Sequence, residues 1–204
     1  LITGADVGLP DSLVAADEPV FAIRRFDRAD DRRIHVEDLA QVREVAPRYK
    51  YDNSSYDGIG RVIRTVSGDV GFEEYIRRLV LVVAMGNGDA HLKNWSLIYR
   101  DGITAELAPA YDMVSVTAYE QFTADRLAFR LGGERSFSTI HREHFRRLAG
   151  SAETDADRAI DVVDETVARL RDAWSAVVRE HPVPDFVRHH ISGRLVELPL
   201  LNGV

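Results

Sequence analysis

The sequence predicts an α+β protein, mostly α-helical, with one small β-hairpin near its middle. Three observations carry that prediction. Residues 71–85, GFEEYIRRLVLVVAM, place apolar side chains at helical spacing and become apolar nearly all round toward the end, as a buried helix does. Residues 138–198 continue in long helix-compatible stretches with few breakers. Between them, SLIYRDGITAEL reads as two short strands around Asp101-Gly102, a strong hairpin signal.

The elements follow in chain order. Residues 18–28, EPVFAIRRFDR, begin as an alternating strand with Val20, Ala22 and Phe26 on faces able to pack. Asp30-Asp31 reads as a polar turn. Residues 35–46, HVEDLAQVREVA, read as a helix with Val36, Leu39, Ala40 and Val42 inward. Residues 47–60 carry Pro, Asn, Ser and Gly and read as a loop, with a short helix over 58–66 and the strong helix over 71–85. The hairpin joins 95–100 to 103–107, and the loop APAYDMVS follows. A strand near 126–131 leads to Gly132-Gly133. Helices are expected near 139–149, over 155–180 and after Pro184.

Composition narrows the function classes. A chain of 204 residues suits one large domain or one and a half small ones. A net charge of -7 argues against non-specific nucleic-acid binding by the chain as a whole. With no cysteine there is no disulfide framework and no thiolate metal site. No apolar run approaches the roughly 18 to 20 residues of a membrane span, and no signal peptide is visible, so the expectation is a soluble cytoplasmic protein. The chain starts at Leu1 rather than Met, which suggests a fragment or a trimmed chain. Its only lysines are Lys50 and Lys93.

Lys93 lies in the most informative stretch, GNGDAHLKNWSLIY, residues 86–99. Four polar functional groups sit there between two apolar segments, where a rigid frame can hold reactive side chains. Asn94 follows Asp89 by five positions, and Asp112 lies eighteen further on, just past the hairpin. Phosphoryl transfer asks for such a set: one carboxylate to orient and deprotonate an attacking hydroxyl, and a carboxamide oxygen with a second carboxylate to hold Mg²⁺ against the phosphates. Protein kinases use this order, a catalytic loop with Asp, an Asn five residues on, and a metal-binding Asp beyond a strand pair. Oxygen ligands suit Mg²⁺, a hard ion that keeps several waters.

On these residues the chain resembles the HipA-type serine/threonine kinases, the toxin half of bacterial toxin–antitoxin pairs. GDAHLKN followed by LAPAYDMVS resembles that family's catalytic and metal-binding loops. FAIRRFDR resembles its hinge strand, HVEDLAQV the helix after it, and LAFRLGGERSFSTI also fits. The resemblance spans about residues 19–145 and implies a protein-kinase-like C-terminal lobe with a hinge strand. It divides the chain into 1–34, the hinge with a remnant of the N-lobe, and 35–204, a helical C-lobe with catalytic loop 86–94 and metal loop 108–115.

The resemblance implies an ATP- and Mg²⁺-dependent protein kinase acting on a Ser or Thr hydroxyl. Asp89 would be the catalytic base, and Asn94 and Asp112 would bind Mg²⁺. His91, Leu92, Lys93, Asn94, Tyr111 and Asp112 would meet the nucleotide, with His91, Lys93 and Tyr111 along its phosphates. The backbone around Arg24, Arg25 and Phe26 would meet the adenine, and Asp27 the ribose. Arg24 stands where the family usually has Glu, which a backbone contact tolerates. A small DNA-binding antitoxin would be the partner, with DNA reached only through it. The effect would be growth arrest through translation factors. The family's phosphate loop and strand lysine are not found here, so the N-lobe is expected to be missing or supplied separately, and the chain alone to be a poor kinase.

Two other classes remain. A small-molecule phosphotransferase would use the same loop chemistry and would favour an acidic pocket for a cationic acceptor. A non-catalytic kinase lobe would keep the fold as a binding module. Plainer roles also stand beside the sharp ones. Asp89 could cap a turn, Asp112 could cap a helix, His91 could bond loop carbonyls and Lys93 could be a solvated cation. HREH at 141–144 reads as a solvated amphipathic helix, and His189 and His190 as surface residues. Arg24 and Arg25 in a strand would face opposite sides.

Overall fold

The computed structural model describes residues 13–15, 18–20, 24–29, 32–51, 54–122 and 124–202. The N-terminal part is built of two small antiparallel hairpins, β1 (Leu13–Ala15) with β2 (Glu18–Val20) and β3 (Arg28–Ala29) with β4 (Arg32–Arg33). The expected single strand over 18–28 is therefore corrected. Phe26 and Asp27 form a turn, because the Asp27 carboxylate draws in Arg25 and Arg28 and bends the chain around itself. The expected packing of Val20 and Ala22 and the Asp30-Asp31 turn lie outside the described residues and side chains.

A second correction falls on 35–46. Residues His35–Asp38 form a strand, β5, and only Leu39–Val42 form a helix, α1. The main chain of β5 pairs with β6 (Ser96–Tyr99) in the register His35↔Tyr99 to Asp38↔Ser96. Cross-strand pairing of this kind overrides a weak helical preference. Asp38 then caps α1 in a capping box: its carboxylate accepts from the Gln41 amide N–H, and Gln41 Oε1 accepts from the Asp38 N–H, both at 2.9 Å.

The last five residues of the expected loop over 47–60 and the two helices over 58–66 and 71–85 become one element, α2 (Tyr56–Met85), bent at Gly68 with φ 64. Ser55 starts it five residues earlier than the loop was expected to end, because its Oγ accepts the Gly58 N–H while Tyr56 and Ile59 are fully buried. A side chain at Gly68 would be strained at that φ, so the break falls on the residue that tolerates it.

The hairpin stands, with a longer connection than expected. β6 pairs antiparallel with β7 (Glu106–Leu107), and Arg100 to Ala105 join them. Asp101 does not make a two-residue turn. Its carboxylate accepts the Ile103 and Thr104 N–H groups and the Thr104 hydroxyl, an Asx-type turn. The expected strand over 126–131 is corrected to a bent segment with isolated bridges. Its carbonyls go elsewhere: Leu127 and Ala128 accept from the Arg135 guanidinium, and Arg130 accepts from the Tyr56 N–H.

The rest is helical as expected: α3 (Arg142–Ser151), α4 (Ala156–Glu180), α5 (Asp185–Glu197) and the short α6 (Pro199–Asn202). The C-terminal half of α2 runs through the middle, buried from Leu79 to Ala84 against α3, α4 and α5. His144 is buried rather than solvated, its Nδ1 accepting the His141 N–H at the start of α3. Nor is His190 a bare surface residue, since its Nε2 meets Thr117 Oγ1 at 2.9 Å. No helix among the described residues is long and apolar enough to cross a membrane.

Candidate active site

The site is built on the end of α2. The helix stops at Gly86 with φ 71, and its last carbonyls are all met. Arg194 from α5 donates to Val83 O and Ala84 O, Ser115 Oγ donates to Met85 O, and Thr117 donates to Gly86 O through both its N–H and its hydroxyl. Burial among these groups lowers the Arg194 guanidinium to about 10. A Cβ at Gly86 would lie 2.0 Å from Thr117 Oγ1, so the residue that turns the chain must also be the smallest.

The loop that leaves this anchor is pinned from both sides. From below, Tyr56 Oη and Trp95 Nε1 both donate to Ala90 O. From the side, the buried Asn87 does two jobs. Its Oδ1 accepts the Asp89 N–H at 3.1 Å, and its Nδ2 donates to Asp112 O at 3.3 Å. Arg78 holds the far end of the second loop. It is buried on α2, pairs with Glu74 at 2.8 Å and donates to Ala108 O at 2.7 Å.

This frame brings Asn94 and Asp112 side chain to side chain, Nδ2 donating to Oδ2, although eighteen residues separate them. Asn94 Oδ1 meanwhile accepts the His91 N–H at 3.0 Å. Asp112 holds a φ of 55, uncommon for a residue with a side chain. Among the described residues no three His, Asp or Glu side chains gather into a closed metal cage. One carboxylate and one carboxamide instead offer a half-set of oxygen ligands. That suits Mg²⁺, which is commonly held by one or two carboxylates with phosphates and waters completing the shell. A shared cation would require the Asn94 oxygen to turn toward Asp112 and give up the His91 N–H that it now accepts.

Two cavities include expected site residues in their linings. One, of about 430 Å³, is lined by Arg24, Arg25, Phe26, Asp27, Lys93 and Tyr111, together with Val36, Asp38, Gln41, Ser96, Pro109 and Ala110. It gathers the expected hinge residues with two of the expected phosphate-side residues. Phe26 and Tyr111 stand with ring centroids 5.8 Å apart. Tyr111 is fixed by donating to Lys93 O at 2.6 Å and by contact with Ser96 Oγ at 2.5 Å, and burial pushes its phenol up to about 12. The hydrogen bond from Arg25, with Arg28 beside it, holds the Asp27 carboxyl down to about 2. Two of its lone pairs face Arg25 and one faces Arg28, leaving one for another donor.

The other opening is a groove of about 1070 Å³ with Gly88 and Asp89 in its wall, opposite Val114, Val116, Phe122 and Leu127. Among the described residues Asp89 is the one carboxylate in its lining, and Arg126 and Arg135 are its cations.

Four expected site residues line neither cavity: Asn94 and Asp112, which meet each other, and His91 and Leu92. Leu92 is fully buried in the core, so only its backbone could meet a ligand. His91 is buried with its ring edge-on to Tyr51 at 5.2 Å, and burial followed by the nearby Lys50 charge lowers its pKa, keeping it neutral. Arg24 and Arg25 lie in no regular strand, so the expected alternation of their faces does not apply. Residues that sequence reasoning missed include Asn87, Tyr51, Asp38 and Gln41. Asn87 at least stood in the same polar stretch, but nothing in the sequence linked Tyr51 to Asp89.

A family model described as the HipA-like C-terminal domain matches residues 3–174. A Sinorhizobium fredii protein named "Putative kinase Y4dM" is 39% identical over 176 residues, covering 86% of this chain and 43% of the relative. "Putative kinase Y4mE" of the same organism is 28% identical over 185 residues, with the same coverage, 86% and 43%. A Haemophilus influenzae protein named "Putative kinase" is 36% identical over 124 residues, 56% of this chain and 36% of the relative. The chain thus spans less than half the length of these relatives. Among solved structures, HipA of the Shewanella oneidensis MR-1 toxin–antitoxin system, in a complex of HipA, HipB and operator DNA, superposes with a TM-score of 0.80 at 20% identity. It covers all of this chain and 55% of that one, a likeness of fold.

Proposed function

The chain belongs to the HipA-like C-terminal domain family, and from that premise we propose that it is the catalytic lobe of an ATP- and Mg²⁺-dependent serine/threonine protein kinase. One observation carries the proposal: Asn94 and Asp112, eighteen residues apart, meet side chain to side chain, while their chain neighbours Lys93 and Tyr111 line the smaller cavity and Asp89 the groove. Relatives named as kinases support the same class.

In this reading ATP occupies the smaller cavity. Its base lies by Phe26 and the backbone at Arg24 and Arg25, its ribose reaches the open lone pair of Asp27, and its phosphates run past Lys93 and Tyr111 toward Asn94. Asn94 and Asp112 would hold Mg²⁺, which supplies charge neutralisation at the phosphates. The acceptor enters the groove. Its hydroxyl oxygen attacks the γ-phosphorus as the bridging P–O bond to the β-phosphate breaks. Asp89 takes the acceptor's proton, and ADP leaves with the bond's electron pair.

The groove bears on the acceptor's chemistry. A cationic small molecule would want several carboxylates, and among the described residues the groove lining offers Asp89 beside Arg126 and Arg135. Its wide, largely apolar wall better suits a protein segment presenting Ser or Thr. A DNA-binding antitoxin is the proposed partner, and a cytoplasmic site of action the proposed location. The glycine-rich loop and lysine that grip the phosphates would come from the remainder of the whole protein, of which this chain is about two fifths by the measure of its relatives.

The test is a calorimetric titration of Mg-ATP, with Asp112→Ala and Asp89→Asn beside the wild type. Binding should be lost in the first variant and kept in the second, while Asp89→Asn should slow transfer by roughly 10²- to 10⁴-fold, the usual contribution of a general base. Equal binding by wild type and Asp112→Ala would refute the assignment.

A further inference from the structure

We propose that Tyr51 is a positioning residue for the transfer, its hydroxyl fixing the rotation of the Asp89 carboxylate so that Oδ2 is left to take the acceptor's proton; this role rests on the kinase reading. Tyr51 is thirty-eight residues from Asp89, and its Oη donates to Asp89 Oδ1. Among the described residues Oδ2 has no hydrogen-bond partner. A carboxylate on its own turns freely about its last torsion, whose preference is broad and roughly two-fold. A fixed donor on one oxygen removes that freedom, and orientation is worth much of a barrier when a proton must leave along one line.

The donor is itself held. The His91 ring meets Tyr51 edge-on at 5.2 Å and 75°, and the Lys50 ammonium stands 5.0 Å from the ring centroid. The backbone just before it is tied to the catalytic loop by the Leu92 N–H donating to Lys50 O at 3.4 Å. Burial, then the hydrogen bond to Asp89, pushes the phenol up to about 12, so at neutral pH it donates and does not ionise. Tyr51 and Asp89 line the same groove, so the phenol also forms part of the wall along which an acceptor hydroxyl would approach.

In the transfer Tyr51 gives up no proton and forms no covalent bond. The acceptor's proton goes to Asp89 Oδ2 while Oδ1 stays with the phenol. The contrary role, in which the Tyr51 hydroxyl merely occupies the acceptor's place and must be displaced, makes the opposite prediction: removing it would speed the reaction.

The variant is Tyr51→Phe, which keeps the ring against His91 and Lys50 and removes one oxygen. In the full-length protein, phosphate release from Mg-ATP with water as acceptor should lose about ten-fold in kcat, with KM for Mg-ATP within about two-fold of wild type. An unchanged kcat, a raised kcat, or a fall accompanied by weaker Mg-ATP binding and a lower Tm would each overturn the role. A second measurement needs no turnover. The Tyr51 ¹³Cζ resonance in this chain should move in Asp89→Asn, and an unmoved resonance overturns the contact itself. Failure of Mg-ATP to bind would sink the kinase reading as a whole. A wild type that binds and turns over beside an equally active Tyr51→Phe sinks Tyr51's role alone.

Discussion

Replacing Asn87 with alanine should damage both the fold and the proposed metal–nucleotide site, and the size of each effect follows from two hydrogen bonds. Asn87 is 2% exposed, so its side-chain amide is shielded from bulk water. Its Oδ1 holds the Asp89 N–H at 3.1 Å, and its Nδ2 holds Asp112 O at 3.3 Å. Each bond is worth about 1 kcal/mol net, and each partner left buried without one costs about 1–3 kcal/mol. The Asp112 carbonyl and the Asp89 N–H lie near the surface, where water can reach them, so the lower half of the range applies. The expected loss is about 2–4 kcal/mol, read as a shift in urea midpoint at constant slope. The same substitution unties Asp89 from Asp112, and a mismatch worth about 1.4 kcal/mol in the ligand shell would weaken Mg-ATP binding ten-fold by calorimetry. A variant that unfolds at the wild-type midpoint and binds Mg-ATP equally well would refute the claim that Asn87 sets the distance between the two loops.

Other perturbations test the frame. Arg78→Met should cost about 3–5 kcal/mol in chemical denaturation, because it strands the half-buried Glu74 and leaves Ala108 O unmet; Arg78→Met with Glu74→Leu should recover much of that loss, and a double variant as unstable as the single would count against a paired charge. Gly86→Ala must hold alanine at φ 71, about 1–2 kcal/mol, and displace Thr117 Oγ1 from 2.0 Å, so calorimetry should show Tm falling by at least about 4 °C. His144 is buried and its pKa is lowered from 6.5, so the unfolded chain takes up a proton before the folded one does. Stability should therefore fall as pH drops below about 6.5, with a slope of up to about 1.4 kcal/mol per pH unit from this residue, and His144→Asn should flatten the curve between about pH 5 and 7.

Helical periodicity and chain breakers gave away the long C-terminal helices and the buried end of α2, because those depend on residues a few positions apart. They failed where partners are distant. His35–Asp38 carries helical spacing yet pairs with Ser96–Tyr99, and only a strand sixty residues away could supply that information. The segment at 126–131 alternates like a strand, but Tyr56 and Arg135 take its carbonyls, so no ladder forms.

The candidate site divides in the same way. Asp89, Asn94 and Asp112 could be singled out in sequence because the proposed phosphoryl transfer demands those side-chain types in that order. Folding alone decided which neighbours act with them. The meeting of Asn94 with Asp112, the clamp through Asn87, the burial of Leu92 and His91, and the hydroxyl of Tyr51 on Asp89 all depend on segments that touch only after α2 is buried. Chemistry of the reacting groups is a property of residue type, which the sequence states outright. Their orientation is a property of packing, which exists only once distant parts of the chain exclude water together.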